Sequence, residues 1–285
     1  KYFIKFVFEK MKKINMVDLQ GQYKKIRSEV NREIKKVLKS ATFINGPIVK
    51  EFELNLKDFL GTNNVIPCAN GTDALQVALM SLGVEKGDEV ITTNFSFAST
   101  IEVILLLGLK PILVDIDPKT FNIDPTMIEK RITNKTRAII PVHLYGQSCR
   151  MNEIMEIAKK NKLFVIEDNA QALGSKVKLS NSTKVMSGTI GDIGTTSFFP
   201  SKNLGGYGDG GAIFTNSDDL ALKIRGIVNH GMYKRYYHDE IGVNSRLDSI
   251  QAAILNVKLK YLNFYNNSRI DAANDYNSRL ESINE

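Results

Sequence analysis

Lys202 stands where an apolar, strand-like run gives way to a glycine-rich turn, Thr196-Ser197-Phe198-Phe199-Pro200-Ser201-Lys202-Asn203-Leu204-Gly205-Gly206. A lysine in that place leaves a rigid element and enters a tight turn, which can hold a reactive amine in a crevice. Alone it reads as a surface lysine after a strand. Two other stretches change that reading. Ile166-Glu167-Asp168-Asn169-Ala170-Gln171 puts acids directly after a buried strand. A carboxylate there is costly unless it meets a positive partner, and a protonated pyridine nitrogen would be one. Gln171 could donate to a ring hydroxyl; the competing reading makes Asp168 a helix cap. Cys68-Ala69-Asn70-Gly71-Thr72-Asp73 opens an amphipathic helix. There Gly71 admits a ligand to the backbone, and the first-turn amides with the Thr72 hydroxyl can hold a phosphate. An ordinary Asn70 cap competes.

In chain order these are an anion cradle, a strand-end carboxylate with an amide, and an isolated amine. They are the parts that pyridoxal 5'-phosphate needs: a phosphate site, a partner for the ring nitrogen and a Schiff-base lysine. Further on, Asn244-Ser245-Arg246-Leu247-Asp248 precedes a long helix, and Arg246 could clamp a carboxylate bidentately or be a surface residue beside an N-terminal cap. Gly206-Tyr207-Gly208-Asp209-Gly210-Gly211 invites a dinucleotide reading, but it precedes a strand instead of following one and opening a helix. It reads as flexible backbone beside Lys202.

The elements that must position these groups alternate. Strand-like runs at Val90–Thr92, Pro111–Asp115, Ala138–Val142 and Leu163–Glu167 are separated by helical patterns at Thr72–Leu82, Ser99–Leu107, Pro125–Ile132 and Met151–Asn161. Asn70, Asp124 and Asn152 are the expected caps or turn residues. Near-continuous apolar strands joined by helices imply an α/β fold whose sheet is largely parallel and covered on both faces. Ligands then sit beyond the carboxyl ends of the strands. The polar clusters Asn94 to Thr100, His143 to Gln147 and Asp168 to Gln171 all fall there. After Ser217 the chain reads as helical, with Asp218–Ile227 and Leu247–Tyr265 as single helices and a last helix running to the end.

Other function classes find little support. The net charge is +7, but the densest basic stretch, Lys24 to Lys39, alternates with Glu29 and Glu33 as a solvated helix face would. No nucleic-acid motif is present. Cys68 and Cys149 make no CxxC pair, so a disulfide framework is not expected and a reducing cytoplasm is the default. His143, His230 and His238 do not share metal-ligand spacing. No apolar run is long enough to span a bilayer. Residues 1–10 read as an upstream extension before Met11.

From about Val17 to Tyr265 the chain closely resembles the DegT/StrS family of nucleotide-sugar aminotransferases. The resemblance is carried by Phe43-Ile44-Asn45-Gly46-Pro47, Asn70-Gly71-Thr72-Asp73-Ala74-Leu75, Phe95-Ser96-Phe97-Ala98-Ser99-Thr100, Pro141-Val142-His143-Leu144-Tyr145-Gly146-Gln147, Glu167 to Gln171, Ser197 to Asn203 and Asn244 to Asp248. It implies the fold-type I pyridoxal-phosphate architecture, a seven-stranded, largely parallel sheet flanked by helices. A helical segment over 11–60, a cofactor-binding domain over 61–230 and the start of a C-terminal subdomain over 231–285 would follow. The resemblance assigns Lys202 as the covalent anchor and proton shuttle, Asp168 to the ring nitrogen, Gln171 to the ring oxygen and Phe97 to stacking on the ring. Gly71, Thr72 and Ser197 would hold the phosphate. Asn244 would reach the phosphate in a neighbouring subunit, with Arg246 near the substrate there, so a homodimer with shared sites is implied. The implied substrates are glutamate and a nucleotide-linked keto sugar. A UDP-linked 3-oxo-N-acetylglucosaminuronate, used in lipopolysaccharide O-antigen synthesis, is the leading form, and a dTDP-3-keto-6-deoxyhexose the runner-up. A non-catalytic, regulatory relative is a third reading. A sugar dehydratase of the same fold would carry histidine in place of Lys202. Two departures stand out: a long polar stretch between Gly174 and Gly191, expected as a surface loop, and a C-terminal subdomain expected to be mostly absent, which leaves open whether the piece is active.

Overall fold

The computed structural model describes residues 16–281 and 283. The reading of residues 1–10 lies outside them. Two helices precede the sheet, α1 (Leu19–Ser40) and α2 (Pro47–Leu60). The Asp18 carboxylate accepts from the Gly21 amide at the start of α1. The basic residues Lys24, Lys25, Lys35, Lys36 and Lys39 are exposed, as expected of a solvated face. The buried side of α1, Ile26 and Val30, packs on Ile254 and Val257.

The sheet is then built by β1 (Asn64–Cys68), α3 (Gly71–Ser81), β2 (Glu89–Thr93), α4 (Ser99–Leu106), β3 (Lys110–Val114), α5 (Pro125–Ile128), β4 (Thr136–Ile140), α6 (Met151–Asn161) and β5 (Phe164–Asp168). The hairpin β6 (Lys176–Lys178) and β7 (Lys184–Met186) follows, then β8 (Ile193–Ser197), β9 (Gly211–Thr215) and α7 (Asp218–Ile227). A second hairpin, β10 (Met232–Lys234) and β11 (Tyr237–His238), leads to α8 (Ser249–Leu259) and α9 (Leu262–Leu280). The main sheet has seven strands in the order β1-β9-β8-β5-β4-β2-β3. Only β9 runs against its neighbours β1 and β8; the other pairings are parallel.

Alternation along each strand divides the core between the two faces. Ile66, Val90, Ile140, Ile166 and Ile213 pack with α3, α4 and α7. Ile91, Ile139 and Val165 pack with α5 and α6, while Val65, Ala212 and Phe214 meet α2 and α8. This parity decides where the two acids of β5 go. Asp168 shares the Ile166 face, toward α3 and α4, and Glu167 shares the face of Val165.

Phe52 of α2 is fully buried, with its ring 5.4 Å from that of Phe198, four residues before Lys202. Phe52→Ala is expected to cost about 3–5 kcal/mol, because a large core cavity is left behind. Chemical denaturation should show a lower midpoint at unchanged slope; a loss below about 1 kcal/mol would mean the site collapses around the gap.

Several local expectations are corrected. Asn152 caps nothing: α6 starts at Met151 after Arg150, and the Asn152 side chain donates to the Lys178 carbonyl at 3.2 Å and accepts from the Ser180 amide at 3.2 Å. The expected helix over Pro125–Ile132 is α5 followed by a 3-10 turn, Glu129–Arg131. The stretch after Ser217 is not wholly helical, since β10 and β11 intervene. The helix expected over Leu247–Tyr265 is broken near Tyr261 into α8 and α9. The polar stretch after Gly174 is a hairpin, not a loop.

Candidate active site

The carboxyl ends of β5 and β8 and the N-terminus of α3 meet at a cavity of about 590 Å³. It is lined by Gly71, Thr72, Phe97, Asp168, Gln171, Ser197 and Lys202, among others. Seven of the nine site residues expected from the sequence therefore converge. Asn244 and Arg246 do not line it: Asn244 is exposed, and Arg246 lines a second cavity with Lys50, Glu53 and Arg225.

Each wall has a local cause. At α3, the Asn70 side chain accepts from the Asp73 amide at 2.8 Å, and its carbonyl accepts from Ala74 at 3.1 Å. The amides of the first two helical residues are left for a ligand. Gly71 is required there by space: an added Cβ would sit 2.6 Å from the Ser197 Cβ. Capping by Asn70 leaves those two amides free, so the cap does not exclude the anion-binding reading of the motif.

Lys202 is pinned through its backbone. Its amide donates to the Phe199 carbonyl at 2.9 Å, and the Gly206 amide donates to Phe198 at 2.7 Å. Asn203 donates to Asn266 of α9 at 2.7 Å. The glycines that follow are held, not flexible: a Cβ at Gly206 or at Gly208 would meet the Gln251 side chain at 2.8 Å, and the Tyr207 amide donates to Gln251 Oε1 at 2.8 Å. Burial pushes the Lys202 ammonium below the usual lysine range, against the attraction of Asp168.

Asp168 is 4% exposed. Burial pushes its carboxyl above the usual range, and hydrogen bonds from the Thr100 hydroxyl at 2.8 Å and the Ala170 amide at 3.2 Å oppose that rise. Gln171 Oε1 accepts from the Tyr145 amide at 2.9 Å, which turns the Nε2 hydrogens away from that contact. Tyr145 adopts a left-handed φ of 55° to present its amide. Phe97 is 68% exposed at the rim of the cavity.

Behind β5 a buried network holds the strand end. Glu167 accepts from His143 Nε2 at 2.8 Å and from the amides of Gly188 at 2.8 Å, Ile190 at 2.6 Å and Gly191 at 2.7 Å. Burial alone would raise its pKa; these donors bring it below the usual carboxylate range. His143 Nδ1 accepts from the Cys149 amide at 3.0 Å, so the ring proton belongs on Nε2, facing Glu167. The His143 amide donates to the Asp168 carbonyl at 3.0 Å. Thr100, Tyr145 and His143 lie within the stretches read from the sequence, but spacing carries no signal for contacts made across 68, 26 and 24 residues.

The model of the DegT/DnrJ/EryC1/StrS aminotransferase family matches residues 24–285. The chain belongs to this family. Among DegT/DnrJ/EryC1/StrS relatives, the UDP-2-acetamido-2-deoxy-3-oxo-D-glucuronate aminotransferase of Pseudomonas aeruginosa is 48% identical over 95% of this chain and 74% of its own length. A protein of Geobacillus stearothermophilus described as a pleiotropic regulatory protein is also 48% identical, over 94% of this chain and 71% of its own. The crystal structure of NtdA from Bacillus subtilis with bound cofactor PMP superposes with a TM-score of 0.87 at 36% identity, covering 95% of this chain and 61% of that one. The family expected from the motifs and the largely parallel seven-stranded architecture are both borne out.

Proposed function

We propose that this chain is a pyridoxal-phosphate-dependent aminotransferase that moves the amino group of glutamate to carbon 3 of a UDP-linked 3-oxo sugar. The observation that carries the reading is one cavity lined by Lys202 and Asp168 together with the Gly71–Thr72 helix start. The residues fit the cofactor. Gly71 lets the helix start close against Ser197 with its amides free, and Asp168 is a buried carboxylate that lines the same cavity. Gly71, Thr72 and Ser197 would hold the phosphate, Gln171 the ring oxygen and Phe97 the ring face. When bound, the cofactor supplies an electron sink for the carbanion formed at the substrate carbon. Asp168 keeps the ring nitrogen protonated. Lys202 Nζ, freed of its proton more readily because it is desolvated, carries the proton between carbons. The PMP in the Bacillus subtilis structure, the aminated form of the same cofactor, supports this choice.

The name of the Pseudomonas aeruginosa relative supports a UDP-linked 3-oxo-uronate, and with it a place in surface-polysaccharide synthesis such as lipopolysaccharide O-antigen. The name of the Geobacillus relative keeps a regulatory, non-transferring protein as the second reading. Among the described residues no helix is long and apolar enough to cross a membrane. Incubation with glutamate and a panel of keto nucleotide sugars decides between the readings. Formation of 2-oxoglutarate and an amino sugar with UDP-3-oxo sugars is expected. Turnover confined to neutral dTDP-6-deoxyhexoses would overturn the uronate assignment, and cofactor absorbance without any transfer would favour the regulatory reading.

A further inference from the structure

Asp168 must carry a negative charge in a place that disfavours one. It is 4% exposed, and its neighbours along β5 and β8, Ile166 and Thr195, carry no charge to compensate it. Its two oxygens are held by different donors. The Ala170 amide reaches Oδ1 from the strand's own continuation at 3.2 Å. The Thr100 hydroxyl reaches Oδ2 at 2.8 Å from α4, a different element. Thr100 is fully buried in the first turn of that helix, with the Ser96 hydroxyl 3.4 Å from its own. The charged groups that act on Asp168 are Lys202 from the turn after β8 and His143 behind it, and the carboxylates of Asp73 and Asp209 line the same cavity. Lys202 and His143 favour the ionised form, but burial outweighs them, so the local field does not by itself secure it.

We propose that Thr100 is a positioning residue whose hydroxyl keeps Asp168 ionised and fixes its carboxylate toward the cofactor's ring nitrogen. The proposal rests on the cofactor reading above. A hydroxyl's bond to a carboxylate is charge-assisted and stronger than any it can make with the neutral acid, so it favours the charged form. It also comes from a helix start, where backbone amides favour negative charge. Without the donor, Asp168 would hold its proton to higher pH and could no longer keep the ring nitrogen protonated. Thr100 touches neither substrate nor cofactor in this role; it acts through Asp168.

The first measurement needs no cofactor. Carboxyl carbon NMR of the apo protein, with the Asp168 signal assigned through Asp168→Asn, gives the Asp168 titration midpoint. Thr100→Val should raise that midpoint by about one pH unit, the size expected for a lost hydrogen bond to a charged group. Thr100→Ser should restore it. Thr100→Ala removes the same donor without added bulk and serves if the valine variant does not fold. The second measurement is the pyridoxal phosphate Kd against pH. Thr100→Val should weaken binding by up to about tenfold at pH below both midpoints and converge with the parent protein as pH rises and Asp168 ionises in both. Equal midpoints, a weakening that is the same at every pH, or a serine variant that behaves like valine would each overturn the proposal. If the parent protein takes up no cofactor while the midpoint shift is present, the functional reading falls and the Thr100–Asp168 coupling stands.

Discussion

Lys202→Ala is expected to abolish amino transfer while leaving the fold intact. The amine has two duties in the proposed reaction, anchoring the cofactor and moving a proton between carbons. General acid–base work alone contributes about 10²–10⁴-fold. With the covalent anchor also lost, a fall of at least about 10³-fold in kcat is expected, roughly 4 kcal/mol of barrier. The structure also identifies the lysine that would mislead a search by titration alone. Lys258 is 1% exposed and its pKa is pushed down to about 8 by burial and by Arg269. It lies over the Tyr207 ring, 5.3 Å from the centroid, and does not line the Lys202 cavity. A depressed pKa there is a property of packing; at Lys202 it coincides with a carboxylate and an anion cradle in one cavity. Borohydride reduction of the cofactor-loaded protein followed by peptide mass analysis separates the two. The label should fall on the Lys202 peptide and disappear in Lys202→Ala. A label on Lys258, or a variant with activity within tenfold of the parent, would sink the assignment.

How far the sequence led depended on how local each cause was. β2, β4 and β5 were legible because burial on both faces makes apolar runs nearly continuous, while β3, half exposed at the sheet edge, kept an apolar run all the same. The Asn70 and Asp124 caps were legible because each binds an amide two or three residues away. Asn152 was misread because its partners lie 26 and 28 residues on, in a hairpin whose polar strands look like loop. The break between α8 and α9 carries no Gly or Pro. It falls at Tyr261, whose hydroxyl reaches Glu29 of α1 at 2.5 Å, a contact that no window of sequence contains. The same division runs through the site. Lys202 and Gln171 stand out in the sequence because each follows a strand, and Asp168 because it ends one. Thr100 and Tyr145, which hold two of those side chains, act across the fold. The glycines after Lys202 serve close packing instead of flexibility: Gly206 and Gly208 against Gln251, Gly205 against Pro200, Gly210 against Leu247 and Gly211 against Asn70, and none of Gly205 to Gly211 has a positive φ.

Mixing two impaired variants should restore activity, and the reason lies in the two residues that stay outside the cavity. Asn244 and Arg246 do not line the Lys202 cavity, yet the motif that carries them has the family pattern. If they complete the site of a second subunit, as the family resemblance implies, a Lys202→Ala chain still offers an intact Asn244 and an Asn244→Ala chain still offers an intact Lys202. In a mixed dimer one site then holds both lesions and the other holds neither. Random exchange makes half the dimers mixed, so the mixture should recover roughly a quarter of the parent activity, although each variant alone is strongly impaired. If Asn244 instead served its own chain's site, every site in a mixed dimer would keep one lesion and nothing would return. The substitution is suited to this test because the backbone is held without the side chain. Asn244 pairs with Asn229 in an isolated bridge, the Ser245 amide donates to the Val228 carbonyl at 3.0 Å, and the Ser245 hydroxyl accepts from the Ala69 amide at 3.1 Å. Alanine at 244 therefore removes one reaching amide and leaves the loop in place, so recovery on mixing would report which subunit's cavity that amide serves.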